Sequence, residues 1–177
     1  EINRIRSALV NNELVLHYQP KVNMRTSEVI SVEALIRWQH PTRGLVPPLD
    51  FLPSLEGHAV SILLGEWVIN SALEQISQWQ SNGIKLPISV NISAYQLQQG
   101  DFATRLAALL AAHSEVKPHY IELEILETSA LSDINQLFDT MNECHALGVR
   151  FSLDDFGTGY SSLTHLRRLP AYLIKID

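Results

Sequence analysis

Residues 120–155 read YIELEILETSALSDINQLFDTMNECHALGVRFSLDD. The run YIELEIL (120–126) is short and apolar, the signature of a strand. DINQLFDTMNECHAL (133–147) spaces its apolar residues at helical intervals. It stops at Gly148, a residue that takes the left-handed turn closing a helix without steric cost. VRFSLD (149–154) is a strand again, and it runs into two adjacent acids, Asp154 and Asp155. Strand, helix and strand in that order form the unit from which parallel sheets are built.

The pattern extends in both directions. Upstream, a strand over 87–93 precedes a helix over 101–113, with Asp101 placed to cap it. Downstream, a short helix over 161–169 leads to a strand over 171–176. The amino-terminal third opens with a helix over 2–11 that puts Ile2, Ile5, Leu9 and Val10 on one face. Strands over 14–22 and 29–39 follow, joined by the polar turn NMRTSE. A Pro/Gly loop covers 40–48, a short helix begins near Asp50, and a long helix over 59–82 stops at Gly83. Alternating strands and helices, with the strands apolar almost throughout, predict an α/β fold with a parallel sheet covered on both faces. No linker divides it, so the expectation is one domain over 1–177.

Composition narrows the function. The 177-residue chain is 46% hydrophobic and 18% charged, which suits a globular domain with a sizeable core. A net charge of −6 argues against binding a nucleic-acid polymer, which calls for a basic stripe. Cys144 is the single cysteine, so neither an internal disulfide nor a cysteine-rich zinc motif is open to this chain, and a reducing cytoplasm fits best. No apolar run approaches the roughly 18 residues of a membrane span. The opening EINRIRSALVNNE lacks a signal peptide's hydrophobic block and a starting Met, which suggests a domain cut from a longer polypeptide. The histidines show no metal-ligand spacing, and Ser161 and Ser162 have no histidine partner for a serine nucleophile.

The polar residues of the strands carry the functional signal. Glu33 and Arg37 sit four apart on the second strand, hence on one face. Asn91 lies in the third; Glu122 and Glu124 lie in the fourth, with Glu127 just beyond. Asp154 and Asp155 end the fifth, and Lys175 interrupts the apolar sixth. In an α/β barrel or an open α/β sheet, the site forms where parallel strands end. Carboxylates packed together raise one another's pKa unless something positive lies between them. A divalent cation does that, and carboxylate and amide oxygens are hard ligands suited to Mg²⁺, Mn²⁺ or Ca²⁺ rather than zinc. Each residue alone also has a plainer role. The aspartate pair can be a cap and turn, Glu124 a solvated strand residue and Asn91 a capping amide. Lys175 can snorkel to the surface, and Arg37 can simply pair with Glu33. Their shared placement is what points to a site.

With these residues in place, the sequence resembles a known family. YQP (18–20), Glu33-Ala34-Leu35 followed by Ile36-Arg37-Trp38, SVNIS (89–93), ELEILET (122–128), DDFGTGYSSL (154–163) and LIKID (173–177) occur in order along essentially the whole chain. Together they resemble the EAL domain of cyclic di-GMP phosphodiesterases. The resemblance implies a TIM-like (β/α) barrel whose first strand is antiparallel to the rest. It implies metal-dependent hydrolysis of cyclic di-GMP to linear pGpG. Glu33, Asn91, Glu124, Asp154 and Asp155 match metal ligands for Mg²⁺ or Mn²⁺ in a two-metal site. Lys175 matches the lysine that holds or polarises the attacking water, and Glu127 the acid that anchors the glycine-rich loop after strand five. With Glu33, these two form the implied catalytic set. Arg37 would contact a substrate phosphate, while Gln19 and Leu35 would line the pocket.

The resemblance further implies a homodimer, a sensory or GGDEF-type domain ahead of this one, and a cytoplasmic location. The family runs on for about two more strand–helix units, which carry a glutamate after strand seven and a glutamine near strand eight. The expectation is therefore an EAL-type domain over 1–177 that is incomplete at its carboxyl end, with six of the barrel strands. Leu126 stands where the family usually has threonine. Two readings of another class remain, a receptor that binds cyclic di-GMP without cutting it and an interaction module that binds neither nucleotide nor metal. The intact set Glu33, Asn91, Glu124, Asp154, Asp155 and Lys175 favours catalysis over both.

Overall fold

The computed structural model describes residues 2–126, 134–156 and 171–176, including all their side chains but those of 134, 135, 155, 156 and 176. Glu127 and the helix expected over 161–169 lie outside the described residues. Among the described residues, seven strands form one sheet: β1 (Leu14–Val22), β2 (Val29–His40), β3 (Gly44–Val46), β4 (Ile88–Asn91), β5 (Ile121–Leu126), β6 (Arg150–Phe156) and β7 (Leu173–Ile176). The order is β1-β2-β4-β5-β6-β7, with the short β3 also on β2. β1 and β3 run antiparallel to β2, and every later neighbour is parallel. This is the expected parallel-dominated α/β sheet with an antiparallel first strand, a partial barrel.

The α-helices among the described residues are α1 (Ile2–Val10), α2 (Ala59–Ser81), α3 (Ala94–Leu97), α4 (Phe102–Ala112) and α5 (Ile134–Ala146). They cover one face of β2, β4, β5 and β6. Val32, Ala34, Ile36 and Trp38 of β2 join Val90, Leu123, Phe151 and Leu153 in one core with Leu73 and Ile76 of α2, Leu106 of α4 and Met141 of α5. The other parity is largely polar: Glu33, Ser89, Asn91, Glu122, Glu124, Ser152, Asp154 and Lys175. Side chains alternate between faces along a strand, so a two-residue period sorts the core from the site.

Several elements depart from expectation for local reasons. The segment over 40–48 contains β3, which returns on β2 with Trp38 opposite Val46 and His40 opposite Gly44. Gly44 closes that turn at φ 71, where a side chain would be strained. Instead of a short helix near Asp50 there are two 3₁₀ turns, Pro48–Asp50 and Leu52–Leu55, each with a proline in its first turn. Asp101 does not cap α4 with its side chain; its carboxylate pairs with Arg105 at 3.2 Å, four residues on. Val10 is 78% exposed, because 3.6 residues per turn carry it off the face shared by Ile5 and Ala8, both fully buried.

α1 is held at a polar joint. Glu13 accepts hydrogen bonds from Arg4 Nη2 (2.6 Å), Trp38 Nε1 (2.9 Å) and Asn11 Nδ2 (3.3 Å). Trp38 is almost fully buried, and Glu13 gives its indole N–H the partner that burial demands.

Candidate active site

Strand register assembles the site. Glu33 is level with Ser89, and Ser89 with Glu122. Asn91 is level with Glu124, and Glu124 with Ser152. Residues paired across parallel strands face the same side, so these groups share the polar face. Glu33, Glu124 and Asp154 come from three strands, and one carboxylate oxygen from each lies within 4.8 Å of the others.

Lys175 stands among them. Its Nζ donates to Glu124 Oε2 at 2.8 Å and Asp154 Oδ2 at 3.0 Å, and it lies 3.4 Å from Glu33 Oε2. Asn91 Nδ2 donates to the other oxygen of Glu33 at 2.9 Å. Five of the residues singled out from sequence, on five strands, thus form one connected cluster. Glu124 is the most deeply placed, at 1% exposure. Burial pushes its carboxyl up, but hydrogen bonds from Lys175 and Lys21 outweigh that and hold it below the ordinary carboxylate range. Burial likewise pulls Lys175 down, and its bonds to Glu124 and Asp154 more than reverse this. Both groups are charged at neutral pH.

Sequence reasoning missed Lys21. Its ammonium donates to Glu124 Oε1 and to Ser89 Oγ (2.6 Å), and it lies 3.9 Å from Glu122 Oε1. A signal was available: Lys21 and Gln19 share the face of β1 opposite Leu14, Leu16 and Tyr18, which lean on the core. The expected pocket residues flank the cluster. Gln19 is opposite Glu33 in the β1–β2 register and exposed, and Leu35 is half-buried on Glu33's face. Arg37, on that face too, turns its Nη1 to the carbonyl of Ile36 at 2.8 Å, while Glu33 is engaged with Asn91 and Lys175. Asp155 follows Asp154 on β6, its side chain outside the described set, as is Glu127.

The donor set fits a divalent metal. Three hard carboxylate oxygens converge, and a positive charge, the Lys175 ammonium, is already accommodated among them.

Known proteins resemble this chain in sequence and fold. The EAL domain family model matches residues 2–177. The chain is 43% identical to the cyclic di-GMP phosphodiesterase PdeR of Escherichia coli K12, over 98% of its own length and 26% of the relative's. It is 41% identical to MucR of Pseudomonas aeruginosa, named a bifunctional diguanylate cyclase/cyclic di-GMP phosphodiesterase, over 99% of its own length and 26% of MucR's. The chain thus spans about a quarter of the length of these curated relatives. The solved structure described as "PaMucR Phosphodiesterase, c-di-GMP complex" superimposes with a TM-score of 0.93 at 41% identity, covering 99% of this chain and 71% of that one. A family match over residues 2–177, a relative 43% identical along 98% of the chain and a closely superimposable fold have one explanation: the chain belongs to the EAL domain family.

Proposed function

We propose that this domain hydrolyses cyclic di-GMP to linear pGpG, with Mg²⁺ or Mn²⁺ held in a two-metal site by Glu33, Asn91, Glu124, Asp154 and Asp155. One observation carries the reading: the ammonium of Lys175 ringed by three carboxylates from three strands. The similarity to PdeR and to MucR, whose structure is described as a c-di-GMP complex, supports the choice of substrate.

The substrate is a dianion and the chain carries −6, so charge must be neutralised before chemistry. When bound, the metal ions supply that charge and make a water acidic enough to attack. Lys175 donates to the attacking water, holds it against phosphorus and stabilises the negative charge that develops there. Water oxygen bonds to phosphorus, one ester P–O bond breaks, and the departing ribose oxygen takes a proton. The product is one linear dinucleotide with a phosphomonoester at one end and a new hydroxyl at the other. No covalent enzyme intermediate is needed. Arg37 meets a substrate phosphate, Gln19 and Leu35 border the pocket, and Glu127 anchors the glycine-rich loop that follows β6.

Incubation of the protein with cyclic di-GMP and Mn²⁺, with products resolved by chromatography, is expected to yield pGpG. Nucleotide that binds and returns uncut would make the domain a receptor instead. The same reading puts the domain in the cytoplasm, pairs it into a homodimer and gives it a sensory or GGDEF-type neighbour. The bifunctional name of MucR supports the neighbour. No helix among the described residues is long and apolar enough to cross a membrane.

A further inference from the structure

Glu124 divides its two oxygens between two lysines. Oε2 faces Lys175, which also contacts Glu33 and Asp154, so this oxygen belongs to the acidic cluster. Oε1 is turned the other way and engaged by Lys21. That ammonium is itself fixed from a second side, because Ser89 Oγ accepts from it at 2.6 Å, and Glu122 Oε1 lies within ion-pairing range at 3.9 Å. Lys21 comes from β1, immediately before the irregularity between Lys21 and Val22. Glu124 is 1% exposed, so no solvent competes for Oε1 and the carboxylate cannot rotate without stripping a charged oxygen of its partner.

We infer that Lys21 is a positioning residue that sets which cation this site accepts: by occupying Glu124 Oε1 it leaves a single oxygen for metal and denies Glu124 a two-oxygen grip. The inference rests on the metal-dependent reading above. Its consequence follows from coordination chemistry. Mg²⁺ and Mn²⁺ suit sites in which each carboxylate offers one oxygen. Ca²⁺ is larger, takes six to eight oxygens and uses carboxylates in the two-oxygen mode readily. A lysine that blocks one oxygen of the most buried ligand therefore discriminates against Ca²⁺. Partners that orient a ligand in this manner change metal affinity by about 10–100-fold when removed.

The test compares two ions, because removing a lysine also removes a positive charge. That electrostatic gain applies equally to Ca²⁺ and Mn²⁺ and cancels in the ratio of their dissociation constants. Calorimetric titration of the substrate-free protein with each ion gives that ratio without any turnover. Lys21→Met is expected to shift it toward Ca²⁺ by about tenfold or more. Lys21→Arg, which still places a cation on Oε1, should keep the wild-type ratio. Ser89→Ala alters no charge and takes away the hydroxyl that anchors Lys21, together with the bonds that hydroxyl makes to Glu124 and to the Val32 carbonyl, so it should shift the ratio the same way by a smaller factor; it serves where Lys21→Met does not fold. A ratio that stays within twofold of wild type in the folded variant overturns the inference about Lys21 while leaving the metal site standing. Wild-type protein that binds neither ion overturns both.

Discussion

β2 carries two acid clusters on its two faces, and they are built to opposite ends. On the core side Trp38 meets Glu13, a single carboxylate taking hydrogen bonds from Arg4, Trp38 and Asn11. On the other side Glu33 joins Glu122, Glu124 and Asp154 around two ammonium groups, Lys21 and Lys175. In the first cluster donors outnumber the acid; in the second, acids outnumber the cations in contact with them. A saturated carboxylate has nothing left to offer a ligand and serves as a clip between α1 and the β1–β2 hairpin. An acid-rich cluster is short of positive charge, which a divalent ion would supply. The same chemical group thus does structural or functional work according to the ratio of acids to donors around it.

Glu33→Ala breaks this contrast most severely. It should lower cyclic di-GMP turnover by a factor on the order of 10²–10³, the scale of losing one electrostatic stabiliser of a reacting phosphate. Its melting temperature should hold or rise, because one of several mutually repelling acids is gone. Turnover within a few-fold of wild type, in a protein that melts lower, would place Glu33 among the structural acids.

Metal addition is the next largest effect. An ion that binds only the folded state stabilises it by about 2.7 kcal/mol at a hundredfold excess over its dissociation constant. Mn²⁺ should therefore raise the melting temperature of the wild type and of Glu13→Gln alike, and do so far less for Glu33→Ala. An equal rise in all three would move the metal away from the Glu33 face.

The sequence made the acid-rich cluster more legible than the fold details around it. Asn91, Glu124, Asp154 and Lys175 are legible because each interrupts an apolar strand in its carboxyl-terminal half, toward the end where parallel strands present a site, and Glu33, in the first half of β2, because it is an acid within a strand. Lys21 escaped that rule because β1 runs the other way: it pairs with Ser31, toward the start of β2, and reaches the cluster through a long side chain. Strand parity would have flagged it. β3 and α3 escaped because three and four residues are too few to show a period. What marks α3 is its cap, with Ser93 accepting from the Gln96 N–H while Gln96 reaches back to Ser93. Prolines 48 and 53 fit the first turn of a helix, so they masked the break of that segment into two 3₁₀ turns. Asp101 misled for a different reason, since Arg105 one turn along competes for the carboxylate that would otherwise cap α4.

The smallest effect tests the saturated side. The Arg4 hydrogen bond, then that of Trp38, holds the Glu13 carboxyl at about 2, against an ordinary value of 4.5. A carboxylate whose pKa is lower in the folded state adds stability above its unfolded value and loses it as pH falls toward its folded value. Glu13→Gln should therefore melt a few degrees below wild type at pH 7, and the gap should narrow between pH 4.5 and pH 2. Glu13 lies outside the acid-rich cluster, so turnover per folded molecule at neutral pH should match wild type. Thermal melts of both proteins across that pH range, paired with one assay at pH 7, separate the two faces. A gap that ignores pH would mean that Glu13 contributes through packing and not through charge. A loss of turnover in protein shown to be folded would mean that the joint of α1 reaches through β2 to the opposite face, and that the two clusters are coupled.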